Sequence, residues 1–74
     1  MSSTEYYLED LLKELVDDAL ELKKEASTDF ERGKLMGYYE VILTALNQAR
    51  AFGITESLPE RVRQFDPEGL LNPD

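Results

Sequence analysis

Apolar and polar residues follow one another along this chain with a helical rhythm. Leu8, Leu12, Leu15, Ala19, Leu22 and Ala26 are spaced four, three, four, three, four. That recurrence puts side chains on one face of a helix, close to a heptad seam. Leu11 and Val16 widen the stripe on its two sides. Asp10, Glu14, Asp17, Asp18, Glu21 and Glu25 fall together on an outer flank. Ser2 and Glu5 have the spacing of a capping box, so a first helix is expected over about 3–26.

The stretch "ASTDFE" interrupts the rhythm. Thr28 followed by Glu31 repeats the capping-box spacing, so a second helix is expected to start near Asp29. Only a few residues separate the two segments, and short connections make antiparallel neighbours. One continuous helix is the competing reading. It would waste paired caps and place short polar and β-branched residues at mid-helix, where they are unfavourable. The second helix is expected to run to about residue 52 and to stop at Gly53, with Ile54 supplying an apolar contact after the cap.

This second helix is the unusual part of the chain. Between Leu35 and Phe52 only Glu40 and Arg50 carry charge. Two uncharged faces emerge at 100° per residue. One holds Leu35, Tyr38, Tyr39, Ile42, Ala45, Leu46 and Ala49, and the other holds Phe30, Gly33, Gly37, Val41, Thr44, Gln48 and Ala51. A single antiparallel neighbour explains one apolar stripe, not two.

The last segment changes character. Ser57 and Glu60 suggest a third capping box, with Pro59 tolerated in a first turn, and Leu58, Val62 and Phe65 share one side of a short helix over about 58–64. "DPEG" at 66–69 suits a type I turn. The tail over 65–74 ends in "LLNPD", which Leu70 and Leu71 either dock or leave loose.

Seventy-four residues make one small domain, 1–74, near the lower limit for a self-sufficient core. The expected fold is therefore all-α: an antiparallel helical hairpin plus a short C-terminal helix, dimerising into a four-helix bundle. A self-complementary face makes a second copy the most economical cover. The interface is expected to use Leu35, Gly37, Tyr38, Tyr39, Ile42, Ala45, Leu46 and Ala49. Gly33 and Gly37 cost helix stability, about 1 kcal/mol each against alanine, which suggests a close approach by helix one or by the second copy. On that reading Gly37→Leu weakens the dimer. Adjacent tyrosines diverge on a helix, so one of Tyr6–Tyr7 and one of Tyr38–Tyr39 is expected at the hairpin seam, with Tyr6 exposed.

Charge narrows the function. Residues 1–28 hold eight acids against three lysines, 29–52 balance, and 53–74 hold five acids against two arginines, for a total of −8. Nucleic-acid affinity is built on basic side chains that release counterions, so direct DNA or RNA binding is not expected. Without His or Cys, the usual general base, thiol nucleophile and zinc ligands are missing. "GKLMG" lacks phosphate-loop spacing. An enzyme, a cofactor and a metal site are accordingly not expected. The N-terminus lacks the basic and apolar regions of a signal peptide, and no run approaches membrane-spanning length, so the expected address is the cytoplasm.

The segment "DFERGKLMGYYEVILTALNQARAFGI" resembles small uncharacterised bacterial and phage helical-hairpin proteins over residues 29–54. The resemblance implies no activity and assigns no residue a role. The expected function is a non-enzymatic dimeric module that binds a larger protein as inhibitor or adaptor. Its partner-binding candidates are the acidic flank Asp10, Glu14, Asp17, Asp18, Glu21 and Glu25, with Phe65, Leu70 and Leu71 of the tail. The alternative is an acidic nucleic-acid mimic that occupies the basic groove of a nucleic-acid-binding protein.

Overall fold

Two helices of 23 residues each, α1 (Ser3–Glu25) and α2 (Asp29–Ala51), dominate a computed structural model that describes residues 3–72. Ser2, and with it the first capping box, lies outside the described residues. Ala26, Ser27 and Thr28 make the turn. Thr28 is extended (φ −111°, ψ 161°), and its hydroxyl accepts from the Glu31 amide at 3.1 Å. Oε1 of Glu31 reaches back to the Thr28 amide at 3.2 Å and the Ser27 amide at 3.1 Å. These bonds satisfy donors that a helix start leaves without intrahelical partners. The hairpin follows from that local chemistry.

At the far end, α2 closes on Phe52, and Gly53 adopts φ +71°. The Gly53 amide donates to the Arg50 carbonyl at 3.1 Å and the Ile54 amide to the Ala49 carbonyl at 2.9 Å. This is a Schellman motif, in which glycine takes the left-handed position without a Cβ penalty. The chain then turns back through a 3₁₀ turn (Thr55–Ser57), a one-turn helix α3 (Glu60–Arg63) and a second 3₁₀ turn (Pro67–Leu70).

The third capping box does not form. The short helix covers 60–63 rather than 58–64, and Pro59 is its N-cap, with no side chain satisfying the cap. Proline drives the residue before it out of the helical region. Leu58 is accordingly extended at ψ 150°, and Ser57 is left in the preceding turn. The "DPEG" turn does form: the Gly69 amide donates to the Asp66 carbonyl at 3.0 Å, and Asp66 Oδ1 accepts from the Glu68 amide at 3.1 Å.

The core takes three residues from each part of the chain. Leu12, Val16 and Ala19 come from α1; Leu35, Ile42 and Ala49 from α2; Leu58, Val62 and Leu70 from the tail. No polar or charged residue is buried among the described residues. Each fully buried aliphatic side chain contributes about 1.5–3 kcal/mol. The tail is thus docked, and the centre of the α1 stripe moves towards Val16, because α3 packs on α1. Leu11, on the opposite side of the stripe, stays 38% exposed.

Candidate interaction surface

Leu35, Ile42 and Ala49, expected to meet a second copy, are instead covered by their own chain. Their seven-residue spacing runs along the hairpin seam, and the tail closes over one side of it. That side can be located. Arg61 pairs with Asp17, and Pro59 stands beside Glu9 and Lys13, all on the Val16 flank of α1. Leu70 shares a cleft with Arg32 and Met36 on the matching flank of α2. Of the remaining expected interface residues, Tyr39 and Leu46 fall towards this tail side and are half-buried.

The opposite side of the hairpin has no such cover among the described residues. On α1, Leu8, Leu11, Leu15 and Leu22 lie along this flank, with Leu8 and Leu11 exposed and Leu15 and Leu22 half-buried. On α2 the flank carries Phe30, Tyr38, Val41, Ala45 and Phe52. Tyr38 and Ala45 are half-buried, Val41 is 53% exposed, and Phe30 and Phe52 are each 77% exposed. Lys34 stands over the Phe30 ring, 5.9 Å from its centroid. Single exposed apolar side chains are ordinary on any protein, but a contiguous set on one side is informative.

The glycines do not mark a close approach within the chain. A Cβ built on Gly33 or Gly37 meets nothing within 4 Å, so contact with α1 does not explain either residue. Both lie on the solvent side of α2. Tyr38 and Tyr39 both pack against the core from its two sides. Tyr6 and Tyr7 are both exposed, at 60% and 63%, so neither faces the seam. α1 at that point has run past the part of the hairpin where its residues are buried.

The acidic flank stands in solvent. Asp17 is held by Arg61, and Glu14 lies 3.8 Å from Lys13. Asp10, Asp18, Glu21 and Glu25 are exposed. No group of acids among the described residues is gathered closely enough to hold a metal ion. Of the tail candidates, Leu70 is buried and Phe65 half-buried against the core, while Leu71 remains 41% exposed. Docking within the chain therefore removes Leu70 from a partner's reach.

One carboxyl is perturbed. Glu31 titrates below its ordinary 4.5, chiefly because the Ser27 amide donates to it, with the Thr28 hydroxyl and amide adding to the effect. The cause is the cap of α2, not a reaction centre. No helix of the described residues is long and apolar enough to cross a membrane. No protein-family model matches the chain, and no curated protein or solved structure matches it either.

Proposed function

We propose that the chain is a non-enzymatic protein-interaction module that works as a pair of identical copies, joined through the side of the hairpin opposite the tail. The supporting observation is the largely apolar flank formed by Leu8, Leu11, Leu15 and Leu22 of α1 with Tyr38, Val41 and Ala45 of α2 and its C-cap Phe52, interrupted by Asp18 and Lys34. Two such flanks laid together make a four-helix bundle with the tails on its outside. The accessible surface is 5233 Å², above the about 4700 Å² of a compact monomer of this mass, as an elongated hairpin with one side uncovered should have.

In that arrangement Asp10, Glu14, Asp17, Glu21 and Leu71 stay outside the bundle, available to a larger protein that the pair would inhibit or connect, while Asp18, between Leu15 and Leu22, falls at its edge. Sedimentation at micromolar concentration tests the pairing, with twice the 8.5 kDa chain mass expected. Leu11→Glu and Val41→Glu place charge on exposed positions, so each should return the single-chain mass while keeping the helical circular-dichroism spectrum. A wild-type chain that melts cooperatively at the mass of one copy would remove the proposal. Salt-sensitive capture of a basic protein by the single chain would point instead to nucleic-acid mimicry by the acidic flank.

A further inference from the structure

Two charges interrupt the apolar flank, and they constrain how two copies can meet. Asp18 stands on its α1 side and Lys34 on its α2 side, both exposed. Neither forms an ion pair among the described residues. The neighbours of Asp18 one turn away are Glu14, Leu15, Glu21 and Leu22, so its own helix offers it no cation. Around Lys34 the one acid at that spacing is Glu31, already bonded to the Ser27 and Thr28 amides. The Lys34 ammonium stands instead over the exposed Phe30 ring, 5.9 Å from its centroid. Asp18 lies nine residues before Ser27 and Lys34 seven after it, about 14 and 11 Å from the turn, so the two stand at nearly one height. Beside Lys34, Gly37 leaves the rim of α2 without a side chain, and a Cβ built there meets nothing of its own chain within 4 Å.

Resting on the pairing proposed above, we infer that its twofold axis runs along the helices. The two hairpin turns then lie at the same end, α1 of each copy packs on α2 of the other, and Asp18 faces Lys34 of the other copy twice across the interface. The alternative twofold lies in the interface plane but perpendicular to the helices. It puts the turns at opposite ends and lays α1 on α1 and α2 on α2. With full overlap, Asp18 then comes level with Asp10 and Leu11 of the other copy, and Lys34 with Ala45 and Leu46, so neither charge meets its opposite. Charge on the whole elements points the same way. α1 holds eight acids against three lysines, whereas α2 holds three acids against three bases. Laying α1 on α2 keeps the two acidic helices at diagonal corners of the bundle, whereas laying α1 on α1 sets like charge against like. The bare rim at Gly37 falls level with Asp18 of the other copy, where α1 can approach closely.

The chain has no cysteine, so Ser27→Cys, at an exposed turn position, gives one spin-label site per copy. Double electron–electron resonance on the paired full chain should place the two labels within about 25 Å, the spacing of packed helix layers plus the label arms. Turns at opposite ends would separate them by about 35 Å, the length of a helix of 23 residues. Asp18→Lys and Lys34→Glu should each weaken self-association in sedimentation by about tenfold, since each sets two like-charge contacts into the interface. The doubly exchanged chain should recover it, and in an equimolar mixture the two single variants should pair with each other in preference to themselves. Both positions are exposed, so all three variants should keep the helical circular-dichroism spectrum. Labels about 35 Å or more apart, or single variants that pair as wild type does with no preference in the mixture, would overturn this orientation and leave the pairing itself in place. A wild-type chain at the mass of one copy would overturn both.

Discussion

Thr28 and Glu31 do at residue scale what the whole hairpin depends on. Their reciprocal bonds end one helix and begin the next. Thr28→Ala should cost about 1 kcal/mol in a urea melt, the usual cost of losing an N-cap. The Glu31 carboxyl is held below its ordinary 4.5, so its contribution is complete above that value and disappears as pH falls through the folded-state value. Glu31→Gln keeps the box spacing but cannot titrate. The variant should therefore lose less stability than wild type on moving from neutral pH to well below 4.5, as read by urea midpoints. Thr55 offers the opposite case. Its hydroxyl is buried without a hydrogen-bonding partner, so Thr55→Val should stabilise the chain by about 1 kcal/mol in the same melt.

Among the elements, the tail is the one whose state the sequence left open. Its docking rests on Leu58 just after the first 3₁₀ turn, Val62 of α3 and Leu70 of the second 3₁₀ turn. Leu70→Ala should cost about 2–5 kcal/mol by denaturant titration, and trypsin should then cut sooner after Arg61 and Arg63. The Arg61–Asp17 pair is partly exposed at both ends, so its removal should cost less than about 1 kcal/mol. Apolar burial, not the ion pair, holds the tail. The caps of α2 were legible in the sequence because each is written in residues a few positions apart. The start of α3 was misread because Pro59 acts on the conformation of Leu58, and that steric effect overrides the Ser57–Glu60 spacing.

At the scale of the molecule, the hairpin is long and narrow, 41 × 20 × 17 Å, with a radius of gyration of 12.9 Å against about 11 Å for a compact chain of this length. Gly37 tests what surrounds it. Within one chain, an added Cβ meets open space, so Gly37→Ala should raise the melting temperature of dilute protein, by the equivalent of about 1 kcal/mol. At concentrations where copies pair, Gly37→Leu should lower the associated fraction seen by sedimentation. That loss would show that a second backbone comes near this position.

The sequence alone determined the two long helices, the hairpin turn and the glycine stop, because periodicity, capping boxes and a left-handed glycine are local and act through near neighbours. It also established that α2 carries more apolar surface than one neighbour covers. Only the tertiary structure decided which apolar residues are spent inside the chain. Leu35, Ile42 and Ala49 went to the core, Tyr38 and Val41 to the open flank, and Leu70, carried by the returning tail, to the core as well. Helical spacing tells which residues share a face, but which face is covered depends on where distant segments come to rest.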